Sequence, residues 1–170
     1  MPSFDVVVVG SGTAGQTAAL DLQAHGLKVA LVERSDSPGG TCALSGCQPK
    51  KFYYEVAAAV AQGRHLAGRG LASAPVGDWA QVRTRKRAFT DPIPQRTVAS
   101  LQDAGIDFRR GEARFTAPET LAVDGRRLEA RAYLLATGAR PMPLPFEGQE
   151  HLVDNVRFLD LEKLPRRTVF

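Results

Sequence analysis

The residues best suited to chemistry are the only two cysteines of a 170-residue chain, Cys42 and Cys47. In a regular helix, cysteines five apart would have Cα atoms roughly 8–9 Å apart. That exceeds the ~7 Å limit for a disulfide. A bridge therefore needs a non-helical turn between them, and Gly46 helps to supply one. A helix beginning at Pro49 would bring its amino end close to Cys47, and Lys50 and Lys51 add positive charge. Both effects stabilise a thiolate. The pair reads as reactive thiols; the alternatives are a redox-sensing disulfide without flavin chemistry, or two inert core cysteines. A metal site would need more ligands, and His25, His65 and His151 show no ligand-like spacing.

The second chemical motif is Gly10-Ser11-Gly12-Thr13-Ala14-Gly15, which fits G-x-G-x-x-G. It follows an apolar strand and opens a helix, the context that gives the pattern meaning. Gly10 permits the tight turn, Gly12 lets the backbone approach a pyrophosphate, and Gly15 lets helix and strand pack closely. Exposed N–H groups and the helix dipole then favour a diphosphate. Glu33 closes the next strand, where an acid accepts from a ribose 2′-hydroxyl and disfavours a 2′-phosphate. FAD or NAD is therefore expected rather than NADP. The plainer alternative is a glycine turn that only packs a βαβ unit.

These residues need a scaffold, and the hydropathy pattern supplies one. Phe4 to Val9 reads as a strand buried on both faces, Thr17 to Ala24 continues a helix ended at Gly26, and Lys28 to Val32 reads as a second strand. Strand, helix and strand within about 30 residues make a parallel βαβ unit. Ser35 to Gly40 is a loop by composition. Pro49 to Gln62 is helical, with Phe52, Val56, Ala59 and Val60 along one side. Gly63 to Gly77 reads as loop or frayed helix. Trp79 to Ala104 is helical but interrupted at Asp91-Pro92-Ile93-Pro94. Ile106–Phe115, Thr120–Val123 and Arg127–Leu135 read as strands, the last two joined by an Asp124-Gly125 hairpin. Pro141, Pro143 and Pro145 mark an extended linker.

Composition bounds the possibilities. With 44% hydrophobic and 24% charged residues, the chain is globular rather than disordered, and long enough to bury a core. Two cysteines are too few for a secreted disulfide scaffold. The apolar run Val6 to Val9 is far too short to span a bilayer, and no secretory signal pattern precedes it, so a cytoplasmic protein without a membrane partner is expected. The net charge of +4 raises the question of nucleic acid. However, the basic run Arg83, Arg85, Lys86, Arg87 lacks interleaved aromatics and reads as a solvated helix face.

Taken together, G-x-G-x-x-G, Glu33, Gly39-Gly40-Thr41-Cys42 to Gly46-Cys47-Gln48-Pro49-Lys50-Lys51, and Leu135-Ala136-Thr137-Gly138-Ala139-Arg140-Pro141 stand in an order that resembles a class I pyridine nucleotide–disulfide oxidoreductase. Glutathione reductase, dihydrolipoamide dehydrogenase and mercuric reductase belong to that family. The resemblance covers essentially the whole chain. It implies an α/β, Rossmann-like FAD-binding domain with a central parallel sheet, helices and an added β-hairpin or meander.

By the resemblance, Gly10, Ser11, Gly12, Thr13, Ala14 and Gly15 cradle the FAD diphosphate, and Glu33 with Arg34 lies at the adenosine ribose. Gly40, Thr41 and Cys42 lie against the flavin, with Lys50 or Lys51 near its reactive nitrogen. Ala113 meets adenine through its backbone, and Ala136, Thr137 and Gly138 form a second FAD contact. Cys47 becomes the flavin-proximal, charge-transfer thiol and Cys42 the thiol that attacks a substrate disulfide. Electrons then run from NAD(P)H to FAD, to the cysteine pair, to a small-molecule or protein disulfide. Leu20 stands where glutathione reductases carry an arginine, and Gln48 replaces an aliphatic residue; the resemblance names no particular substrate.

The same comparison divides the chain into residues 1–150, an incomplete FAD-binding domain, and 151–170, a linker and a first strand, Leu164 to Phe170, leading toward an NAD(P)-binding domain. The expected reading is a portion of a longer flavoenzyme that does not complete turnover alone. The full-length relatives it implies are homodimers, and this shorter chain is compatible with a monomer. A non-catalytic nucleotide-binding thiol switch is the alternative.

Overall fold

The computed structural model describes residues 3–169. They divide into two compact units, Met1–Cys42 with Pro92–Arg140, and Ala43–Asp91 with Pro141–Phe170.

The first unit is built on a four-stranded parallel sheet in the order β3-β2-β1-β7, where β1 is Phe4–Val9, β2 Val29–Glu33, β3 Asp107–Arg110 and β7 Ala130–Leu135. The expected continuous apolar runs have a direct cause: both faces of the sheet are covered. Val7, Ala30 and Val32 face one cluster with Leu121, Val123 and Leu128. Val8, Val29 and Leu31 face another with Ala19, Leu101 and Ile106. Helix α1, Thr13–Ala24, crosses from β1 to β2, and α5, Ile93–Asp103, supplies Leu101. Past the end of α1, Gly26 donates to the Gln23 carbonyl and Leu27 to that of Leu22, the doubled closure of a Schellman end.

An antiparallel meander, β4 (Ala113–Ala117), β5 (Thr120–Val123) and β6 (Arg126–Leu128), forms a separate three-stranded sheet. The parallel sheet, helices and meander expected of the α/β fold are therefore present. Two strand readings need correction. Ile106–Phe115 is split at Gly111 and Glu112 into β3 and β4, and Arg127–Leu135 is split at Glu129 into β6 and β7. In each case the halves pair in different sheets. Hydropathy cannot register this, because both sheets demand the same apolar pattern.

In the second unit, α3 (Pro49–Leu66) and α4 (Trp79–Thr90) meet through Phe52 and Phe89, with ring centroids 5.5 Å apart, and Tyr53 and Trp79, 4.5 Å apart. Helix α3 runs one turn beyond its expected end, and Ala59 is exposed while Phe52, Val56 and Val60 are half-buried. The segment around α6, Asn155–Phe158, docks on this helix pair. The Tyr53 hydroxyl donates to the Leu159 carbonyl at 2.7 Å, and the Trp79 indole to that of Leu161 at 2.8 Å.

The basic run of α4 is not uniformly solvated. Lys86 is only 4% exposed and donates to Asp160 at 2.7 Å. The cause is helical spacing: Val82, Lys86 and Thr90 recur every four residues on the buried face. Residues 164–169, expected as a strand, form none. A strand forms where neighbouring backbone pairs with it, and apolar content alone does not create that pairing. Phe170 lies outside the described residues. No helix among the described residues is long and apolar enough to cross a membrane.

Candidate functional site

The first unit gathers the glycine motif, Glu33 and the segment before Cys42 at the carboxyl ends of β1 and β2. Strand β1 ends as the Gly10 N–H bonds the Val32 carbonyl at 2.8 Å. Gly10 turns with φ of +109°, and a Cβ there would overlap the Ala136 carbonyl. The carboxyl end of β7 is thereby pressed against the turn, and the Ala136 N–H bonds the Val9 carbonyl at 2.9 Å. Gly15, inside α1, approaches the Gly10 carbonyl so closely that a Cβ would overlap its oxygen.

Gly12 is different. Its φ of −71° is open to any residue, and a Cβ there would meet only the Gly40 Cα, at 3.9 Å. The clear space at Gly12 is therefore not consumed by the fold. Gly12 caps α1 with no side-chain acceptor on the helix N–H groups, and no acid stands in the first turn. Unpaired N–H donors, a positive dipole end and free approach to the backbone suit an anionic diphosphate. Thr13 and Ala14 of that first turn are exposed.

Ser11, 0% exposed, is the hub of this corner. Its N–H and its hydroxyl both donate to Glu33 Oε2, at 2.8 and 2.7 Å, and its Oγ accepts from the Gly39 N–H at 3.1 Å. The Ser35 N–H donates to Glu33 Oε1 at 2.8 Å. Burial alone would raise the Glu33 carboxyl, but the Ser11 hydroxyl and the N–H groups of Ser35, Ser11 and Arg34 outweigh it and hold it below the usual carboxylate range. The Gly111 N–H bonds the Glu33 carbonyl at 2.9 Å, which brings the start of β4 and Ala113 to the same end of β2. Arg34, Thr137 and Gly138 are exposed. The structure thus assembles Gly10, Ser11, Gly12, Gly15, Glu33, Gly40 and Ala136.

The cysteines fall on either side of the division between the units. Cys42 lies, half-buried, in the short helix α2, Gly40–Leu44, beside an exposed Thr41. That helix stops at Leu44, and residues 45–48 interrupt the helical run between the two cysteines. Cys47 is exposed. Pro49 opens α3, whose amino end lacks a side-chain cap, and Lys50 and Lys51 are exposed on its first turn.

Sequence reasoning missed three supports. The Gln16 amide donates to the Ser11 carbonyl at 2.7 Å, Gly39 bonds Ser11, and the Asn155 amide donates to the Ser45 carbonyl, two residues before Cys47, at 2.6 Å. The first two lie within reach of the glycine motif and its polar neighbours, whereas Asn155 is 110 residues from its acceptor and leaves no local signal.

Comparison with known proteins converges on one family. The family model described as pyridine nucleotide-disulphide oxidoreductase matches residues 4–169. Glutathione reductase of Schizosaccharomyces pombe is 32% identical over 96% of this chain and 37% of its own length. Mercuric reductase of Staphylococcus aureus is 31% identical over 96% of this chain and 30% of its own. Among solved structures, the HOCl-induced flavoprotein disulfide reductase RclA from Escherichia coli superposes with a TM-score of 0.78 at 27% identity, covering 95% of this chain and 35% of that one. The chain spans about a third of the length of these relatives.

Proposed function

The chain belongs to the pyridine nucleotide-disulphide oxidoreductase family, and from that premise we propose that it is the FAD-binding, redox-cysteine portion of a flavoprotein that passes electrons from NAD(P)H through FAD to a disulfide. The observation that carries this reading is the uncapped, acid-free amino end of α1, with Gly12 left open beside it and the Glu33 carboxylate held nearby. Gly10–Gly15 hold the diphosphate, Glu33 and Arg34 the adenosine ribose, the Ala113 backbone the adenine, and Ala136, Thr137 and Gly138 a second stretch of the cofactor. Gly40, Thr41, Lys50 and Lys51 serve the flavin end. Residues 1–150 form the FAD-binding part and 151–170 the lead toward an NAD(P)-binding domain.

When bound, FAD supplies the two-electron relay between NAD(P)H and the cysteine pair. The remaining chemistry belongs to the thiols. The Cys42 thiolate attacks one sulfur of the substrate disulfide; that S–S bond breaks and the departing thiolate takes a proton. Cys47 then attacks the Cys42 sulfur of the mixed disulfide, releasing the second substrate thiol and closing the Cys42–Cys47 bond. Two electrons leave the pair and one disulfide becomes two thiols. The substrate is a small-molecule or protein disulfide. Leu20 packs into the core under α1 and offers no cation to a substrate carboxylate there. The full-length form is read as a cytoplasmic homodimer.

The visible spectrum of the purified chain tests the reading. Bound oxidised flavin is expected as isolated or after adding FAD, and reduction of the cysteine pair should produce a long-wavelength charge-transfer band. A chain that stays colourless and takes up no added FAD overturns it in favour of a flavin-free thiol switch.

A further inference from the structure

We infer that Ser11 is a positioning residue for the ribose acceptor: its buried hydroxyl orients the Glu33 carboxylate and ties it to the Gly39–Gly40 backbone that leads to Cys42. The inference rests on the FAD reading above and adds a residue-level determinant to it. A G-x-G turn needs only a small residue at its middle position, so nothing in the turn calls for a hydroxyl. Yet the Ser11 hydroxyl is used in both directions, donating to Glu33 Oε2 at 2.7 Å and accepting from the Gly39 N–H at 3.1 Å.

With both roles occupied and the side chain buried, the Ser11 hydroxyl acts on the cofactor through Glu33 rather than by touching it. The other donors to this carboxylate, the N–H groups of Ser11, Ser35 and Arg34, belong to the backbone and survive any side-chain change. The hydroxyl is the one donor there that residue type decides. A glutamate is otherwise free to turn about its side-chain bonds, and an acceptor fixed in advance loses less entropy when the ribose 2′-hydroxyl arrives. Gly40 makes the tie a tight one, since a Cβ on it would overlap the Gly12 Cα.

The test titrates the flavin-free full chain with FAD and with its 2′-deoxyadenosine analogue, following flavin fluorescence. Wild type should prefer FAD. Ser11→Ala should weaken FAD about tenfold, the equivalent of one hydrogen bond of ~1.4 kcal/mol, and barely change the analogue, so that the preference collapses. On a Glu33→Ala background, Ser11→Ala should add no further loss. Equal weakening of both flavins overturns the inference, as does a full additional loss on the Glu33→Ala background. So does a Ser11→Ala chain that circular dichroism shows unfolded without flavin, because Ser11 would then serve general stability. Wild type that binds neither flavin instead fails the FAD reading itself.

Discussion

Two glycines of one motif should fail in opposite ways. Gly15→Ala places a methyl inside the Gly10 carbonyl oxygen and 3.0 Å from its carbon. The obstacle is backbone held at the β1–α1 turn by the Gly10 N–H bond to Val32, so it cannot swing aside as a side chain would. Overpacking of this kind costs about 1–3 kcal/mol or more, against a helix-propensity gain of ~1 kcal/mol for replacing a helical glycine with alanine. The net expectation is a loss of up to about 2 kcal/mol, or up to roughly 8 °C in Tm for a chain of this size.

Gly12→Ala meets ordinary φ and a nearest neighbour at 3.9 Å. The flavin-free chain should therefore stay within about 1 kcal/mol of wild type, the stiffer unfolded state offsetting alanine's poorer capping of α1. Its cost should appear only with cofactor, as a methyl between the α1 amino end and the diphosphate, and FAD affinity should fall at least about tenfold. Thermal unfolding with and without FAD, together with a flavin titration, separates the two. If flavin-free Gly12→Ala is as unstable as Gly15→Ala, or if Gly12→Ala binds FAD like wild type, the division of labour within the motif is wrong.

Asp160→Asn should strand the buried Lys86 ammonium and cost about 2–3 kcal/mol, while Lys86→Met, which keeps the apolar stem, should cost less; urea unfolding of both decides, and equal losses would show that a stranded ammonium adds nothing to the loss of the pair. The depressed Glu33 carboxyl makes an acid-side prediction. A lowered folded pKa adds stability above the ordinary carboxylate range that is lost as pH falls through the folded value. Wild type should therefore exceed Glu33→Gln in stability at pH 7, and the gap should shrink below pH ~4; a gap independent of pH refutes the carboxylate's role. For the thiols, Cys47→Ser should abolish the charge-transfer band of the flavin-loaded chain, whereas Cys42→Ser should retain a thiolate able to form it. Identical spectra would void the two assignments, and the opposite pattern would reverse them.

Local chemistry was legible wherever neighbouring residues act on one another. The G-x-G-x-x-G turn, the acid at the end of β2, the break between Cys42 and Cys47 and the Asp124-Gly125 hairpin each depend on a few adjacent residues with sharp conformational demands. Asp124 and Gly125 indeed both take positive φ, at 45° and 79°. The parallel strands were legible because burial on both faces leaves an unbroken apolar run. Partnership across the chain left no such mark. Strands β3 and β4, and β6 and β7, look continuous in hydropathy, but pair in different sheets, because an apolar residue is equally content on either.

Lys86 reads as one charge among four until its helix face is packed and Asp160, 74 residues away, meets it. Ser11 reads as filler between two glycines. Only folding brings Glu33 and the Gly39 N–H to the two sides of its hydroxyl, since a hydrogen bond is set by distance in space and carries no trace in sequence separation. Sequence alone thus determined which groups the chain carries: a glycine turn at the end of β1, an acid at the end of β2 and a pair of cysteines five residues apart. The tertiary structure decided which of those groups are held in place, by what, and which glycine remains open to a ligand.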